Sequence, residues 1–291
     1  MTRVPMALAL VAVLAGAAWA ESAKGTFVAS GGTSSGTIAP KAAAAFVVRD
    51  RRDMRTPVAE VVLSEIAIDA AAAAEALQPH IHAINQDALK ERDYILLWVA
   101  PDGHVSMNAT FGRTMTQFVD AIGDSLHATL TVNSPERVAG RVFTPRPVKT
   151  LSGETYTVDV SFDAAVVRVP KGRALPRGGG APGAALTAFL SAVTRKDWTA
   201  ITPLLSPAAL EMFDKSYNSP AENAASLSDI LQAWLPREKL SIAGGEQRDD
   251  VADLEVTGDM FPATPAIYLA RMRRHGDGWR FEGASLVGMV R

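Results

Sequence analysis

Residues 170–183 read PKGRALPRGGGAPG, and this stretch decides how the chain has to be divided. Glycine and proline dominate it and it has no hydrophobic period. It cannot bury a face, so it reads as a semi-flexible linker. The patterning differs on its two sides: 21–169 is strand-like, whereas 184–291 carries helical stripes followed by strands. The 291 residues suffice for about two domains at ~150 residues each, and the linker places the boundary. There is no internal repeat.

The first twenty residues are expected to be a signal peptide. Arg3 supplies a positive start, Met6 to Leu14 is a short apolar run, and Ala18-Trp19-Ala20 is a cleavage site before Glu21. The apolar run falls short of the ~20 residues of a spanning helix. The expectation is therefore a periplasmic or secreted protein with no stable membrane insertion after cleavage. The chain has no Cys, which excludes disulfides, thiolate metal sites and a cysteine nucleophile. Such a chain must be held by packing alone, and its 48% apolar share permits that. Its 29 basic and 31 acidic residues leave a net charge of −2, with no electrostatic case for nucleic acid.

The N-terminal half alternates with period two. Leu126, Ala128, Leu130 and Val132 interleave with polar residues, as do Tyr156, Val158, Val160 and Phe162. Tyr94 to Val99 is dense enough for a strand buried on both faces, and Pro101-Asp102-Gly103 turns it into a partner strand. Asp69 caps an alanine-rich helix over 70–77, stopped at Pro79. The pattern predicts an antiparallel β-sandwich-like domain with a helical insertion.

Three features here imitate chemistry. Gly32-Thr33-Ser34-Ser35-Gly36 matches G-x-S-x-G but lacks the strand before and helix after that a nucleophile elbow needs, so it reads as a loop. His80 and His82 suit two ligands on one strand face, with Glu75 and Asp87 near in sequence, but no metal motif spans them and no metal is expected. Arg49, Arg51, Arg52 and Arg55 are interrupted by Asp50 and Asp53 and read as a solvated charged loop.

In the C-terminal half, Leu186, Phe189, Leu190 and Val193 form one helical stripe. Trp198, Ile201, Leu204 and Leu205 form another after Asp197. Ser206-Pro207 opens a short helix, and Ser219-Pro220 with Glu222 reads as a capping box. Leu227, Ile230, Leu231, Trp234 and Leu235 end at Pro236. Strands follow, with Leu254, Val256, Tyr268, Met272, Trp279 and Phe281 expected inside. Asp253, Glu255, Arg271, Arg273, Arg280 and Glu282 are expected outside, where opposite charges can pair across strands.

Helices first and a hairpin-rich sheet after, with AALTAFLSAVTRKDW near the start and GDGWRFEG near the end, make 184–291 resemble nuclear-transport-factor-2-like and SnoaL-like domains. The resemblance implies an α+β cone, helices closed on a curved antiparallel sheet, with a ligand or active site inside. The N-terminal half resembles β domains of uncharacterised exported bacterial proteins, which implies no activity.

The inward sheet positions carry no acid or base other than Tyr268, a poor base near neutral pH. The reading is therefore an exported, non-catalytic binding or accessory protein without a cofactor. Trp198, Tyr217, Trp234, Tyr268 and Met272 are its candidate ligand-binding residues, and a small apolar ligand or an envelope protein is its partner. An alternative is a SnoaL-like isomerase or hydrolase using Asp214 or Asp197 with Tyr217. A third is an envelope adaptor that docks through the β domain.

Overall fold

The computed structural model describes residues 22–31, 35–50, 56–85, 92–111, 114–116, 125–150, 153–169, 171–216, 235, 238–261 and 264–289. The first part runs β1 (Ala23–Ser30), β2 (Gly36–Ile38), β3 (Ala42–Arg49), β4 (Pro57–Ser64), α1 (Ala70–Glu75), α2 (Pro79–Asn85), β5 (Tyr94–Val99), β6 (Val105–Phe111) and β7 (Thr114–Thr116). It continues through β8 (His127–Asn133), β9 (Arg137–Phe143), β10 (Val148–Lys149) and β11 (Thr155–Val167). The second part comprises β12 (Arg173–Leu175), α3 (Gly180–Thr194), α4 (Trp198–Ile201), α5 (Pro207–Ser216), β13 (Glu238–Arg248), β14 (Val251–Phe261), β15 (Thr264–His275) and β16 (Gly278–Met289).

The expected β-sandwich is replaced by one curled, 11-stranded half-barrel. The cause is β11, whose 13 residues outrun any single partner. It pairs antiparallel with β1 from Phe162↔Ala23 to Thr155↔Ser30, and with β9 from Asp159↔Phe143 to Ala165↔Arg137. Its last residues, Val166 and Val167, then pair with Ala45 and Phe46 of β3, in parallel. One strand thereby joins two groups of strands edge to edge, and the sheet curls instead of splitting into two layers.

The alternation expected of 156–162 is present, with Tyr156, Val158, Val160 and Phe162 turned into the curl. There they meet Phe27, Val61, Leu63, Ile95 and Leu97, and Phe27 stacks on Tyr156 at 5.8 Å. The opposite face of β3, β4 and β5 is also apolar. Ala44, Phe46, Val62, Tyr94 and Leu96 pack under Ile68, Ala73 and Ala83. That second layer is why the Tyr94–Val99 strand is apolar on both sides. Pro79 starts α2 and does not merely stop α1; a proline is well placed at a first helical position because its missing N–H has no partner there. His80 and His82 therefore lie two apart on a helix, where side chains diverge, not on one strand face.

The second unit also departs from the expected helix-packed cone. Among the described residues strands make up 56% and helices 19%, and the unit is an antiparallel sheet in the order β12-β13-β14-β15-β16. Its last four strands are 11 or 12 residues long, whereas α3, α4 and α5 have 15, 4 and 10. Length explains the difference: a four-residue helix closes nothing, so the sheet dominates. The expected helix over 219–236 lies outside the described residues, apart from Leu235, which is buried.

The apolar stripe of α3 behaves as expected, burying Leu186, Phe189 and Val193. Phe189 stacks on Phe281 with centroids 4.4 Å apart and planes 13° from parallel, which pins the helix to β16. Residues 171–183 are structured. Ala174 pairs with Glu246, and Gly183 sits inside the first turns of α3. A Cβ on Gly183 would lie 1.8 Å from the Gly178 carbonyl oxygen, so the glycines serve close approach here and not flexibility. Phe281 is fully buried, but Trp279, beside the hairpin turn, is only half-buried, contrary to expectation.

Phe281→Ala is expected to destabilise the protein by about 3–5 kcal/mol. Trp279→Ala should cost clearly less, because part of its ring already contacts water. Urea unfolding of both variants checks the order, and equal losses would contradict the packing described.

Candidate functional site

The outward face of the second sheet should be water-exposed if each sheet has a single core face. Its sequence is mixed there: Ile267 and Leu269 stand among Asp253, Glu255, Arg271 and Arg273. The structure resolves the mixture by covering part of this face with the first unit. Asp253 of β14 lies directly opposite Arg271 of β15, whose side chain is only 7% exposed. Arg271 Nε donates to Asp253 Oδ1 at 2.6 Å and Nη2 donates to Oδ2 at 2.8 Å. Its Nη1 donates at 2.6 Å to the carbonyl oxygen of Glu75, at the end of α1. A helix C-terminus leaves carbonyls without partners, and here one meets a cation.

Three further contacts belong to the same seam. Arg248 Nη2 donates to Asp253 Oδ2 at 2.7 Å. Arg49, the last residue of β3, ion-pairs with Glu255. Gln78 Nε2 donates to the Leu286 carbonyl at 3.0 Å. A cleft of about 210 Å³ opens beside these groups, lined by Val169, Gly245, Glu246, Arg248, Asp253, Glu255 and Leu269. That is below the ~300 Å³ at which ligand pockets begin. Its charges are already engaged: Asp253 takes three N–H bonds, and Glu255 holds Arg49. The Arg248 Nη1 nitrogen is buried without a hydrogen-bond partner among the described residues. It is shut off from solvent, so it offers no handle to a ligand. The arrangement is suited to joining two units rather than to moving protons.

The binding residues expected from sequence fall elsewhere. Tyr268 and Met272 are 0% and 1% exposed, packed in one core with Phe189 and Phe281. Trp198 is half-buried at the margin of that core. Tyr217 and Trp234 lie outside the described residues. Of the acids considered for catalysis, Asp197 is exposed and caps α4, accepting from the Ala200 N–H at 3.1 Å. Asp214 falls in α5. Sequence reasoning named Asp253, Glu255 and Arg271 only as outward pairs, considered Glu75 only beside the two histidines, and missed Gln78. The outward Ile267 and Leu269 were the available signal that this face is covered.

A second charged array lies on the open face of β9 and β11. Arg141 forms a two-pronged pair with Asp159 at 2.7 and 2.8 Å, and Arg137 pairs likewise with Asp163. The hydrogen bond from Arg141 is the main reason Asp159 sits below the usual carboxylate range, outweighing the small opposing effect of burial; Arg137 acts in the same way on Asp163. A depressed folded-state pKa stabilises above the unfolded value of about 3.9 and is lost as pH falls through the folded value. Both pairs are about half exposed, so solvent and salt screen most of this contribution. The Arg141 guanidinium also lies 4.7 Å over the Phe143 ring, which stacks on His127.

No protein-family model and no curated protein matches the chain.

Asp253→Asn keeps the shape but leaves two largely buried guanidinium groups without their anion. It is expected to cost about 3–5 kcal/mol, the range for breaking a buried pair from one side. Asp159→Asn, on the open face, should leave the unfolding midpoint nearly unchanged and the acid limb of stability slightly flatter. Urea midpoints at pH 7 and pH 3 measure both. Equal shifts in the two variants would contradict the burial difference.

Proposed function

We propose that the chain is exported, loses residues 1–20, and serves as a non-catalytic accessory protein that engages another protein of the envelope. The observation that carries the reading is where its ionisable groups are used. Asp197 closes a helix end, Asp253 neutralises two arginines, Glu255 holds Arg49, and the buried Glu60 accepts from Trp98 Nε1 at 2.6 Å. Each of these groups is committed to the fold, whereas a catalytic acid or base must face a substrate. The inner aromatic residues are likewise committed, Phe189 and Tyr268 to the core of the second unit. That favours recognition through the outer surface over a ligand held inside. An Ala-x-Ala site after a short apolar run supports export.

Native mass spectrometry of the protein, taken from its own envelope without detergent, tests both parts. The expected result is a chain beginning at Glu21, carried in an assembly whose extra mass belongs to a different protein. A chain that keeps Met1 to Ala20 would overturn the export reading. A bare chain, or one found only in whole multiples of its own mass, would overturn the partner reading.

A further inference from the structure

We propose that folding hides the processing site of this chain, so that residues 1–20 are removed while β1 is still undocked from β11. The proposal rests on the export reading above and adds an order of events to it. The step is a hydrolysis. Water adds across the Ala20–Glu21 amide, leaving a carboxyl group on Ala20 and an amine on Glu21. The enzyme class it requires is a leader peptidase of the envelope that cuts after Ala-x-Ala.

A peptidase has to hold several residues on each side of the bond in an extended, unpaired form. Susceptibility therefore follows the hydrogen bonding of the backbone at the cut. Ser22 is the second residue after that bond, and its backbone and side chain are both engaged. Its N–H donates to the Lys41 carbonyl oxygen at 3.0 Å, and its carbonyl oxygen accepts from the Asp163 N–H at 2.8 Å. Its Oγ accepts from the Ala43 N–H at 2.8 Å. The Ala23 N–H also donates to the Lys41 carbonyl, at 3.2 Å, and Ala23 is 3% exposed in the core of the curl. Ser22 thus ties the start of the mature chain to β3 and β11 at once. Drawing it into an active site breaks all three of its hydrogen bonds.

The topology sets when this clamp closes. β1 pairs with β2 through Phe27, Val28 and Ala29 only, but with β11 along its whole length from Ala23 to Ser30. β11 begins at Thr155, so a chain that crosses a membrane from its N-terminus delivers β1 long before the strand that receives it. Contacts between distant segments form late because the loop between them has to be closed first. The bond is therefore free early and shut afterwards. Gly25 shows how close the final docking is. Its φ is +110°, and a Cβ there would lie 2.0 Å from the Asp159 carbonyl oxygen.

The test uses the full precursor, made without export and refolded, beside the same chain diluted from urea at the moment of assay. Both are offered to a purified leader peptidase, and mass spectrometry follows the loss of residues 1–20. The unfolded chain is expected to be cut after Ala20. The folded one should be cut at least about tenfold more slowly, because only its open fraction is a substrate. A spacer of about eight Gly and Ser residues between Glu21 and Ser22 moves the bond off the sheet and should bring the folded rate up to the unfolded one. Gly25→Ala, which forces β1 away from β11, should raise it as well. A precursor that gains its fold only after the cut gives the same order of events and supports the proposal. Equal cutting of the folded and unfolded chains would overturn the proposal alone. So would a folded chain that the spacer leaves resistant, since the Ser22 clamp would then not be what protects the bond. An unfolded chain left uncut after Ala20 would overturn the export reading, and the proposal with it.

Discussion

A guanidinium group withdrawn from water must find its hydrogen bonds elsewhere, and Arg271 finds them on two separate parts of the chain. Asp253, on the next strand, accepts two of its donors, and the Glu75 carbonyl, nearly two hundred positions earlier, accepts a third. This requirement fixes the rest of the seam. The end of α1 has to lie over the polar face of β14 and β15. The hairpin of α1 and α2 then lies between two sheets, with Ala73 and Ala83 packed towards β3, β4 and β5. Gln78, in the turn between the two helices, is brought to the edge of β16, and Arg49 is brought to Glu255.

The same economy appears in β11. Its length lets one strand serve two sets of partners, which produces the curl and brings residues 171–175 to the second sheet. There β12 adds a short strand to β13, and the glycines that follow let α3 turn closely over that connection. A stretch rich in glycine and proline thus works as a tight junction. Composition alone reads it as a tether because tight packing and slack both call for residues without side chains.

Much of the fold was legible in the sequence, where local pattern and burial agree. The alternation of Tyr156, Val158, Val160 and Phe162, the stripe of Leu186, Phe189 and Val193, and the inward set of Leu254, Val256, Tyr268 and Phe281 all reappear. The cap of α5 does as well, with Ser206 Oγ accepting from Ala209 N–H at 3.1 Å. What was not legible depends on contacts distant in sequence. Period-two patterning says which side of a strand is inside but not whether sheets curl or stack, so the sandwich was the wrong architecture. The relative lengths of helices and strands, not their order, undid the cone. A charged outward face reads as solvated unless something covers it, and the cover came from the helical hairpin of the other unit. Tyr268 and Met272 were correctly placed inside, where they pack in one core with Phe189 and Phe281.

The buried seam around Arg271 joins two differently built sheets, which are expected to behave as one body. Differential scanning calorimetry of the mature chain tests this most directly, because a coupled protein melts in one transition whose calorimetric and van't Hoff enthalpies agree per chain. One such transition is expected, separating into two when Arg271 is replaced by alanine. Two independent transitions in the unaltered protein would contradict it, as would a single transition that Arg271→Ala leaves unsplit and unshifted.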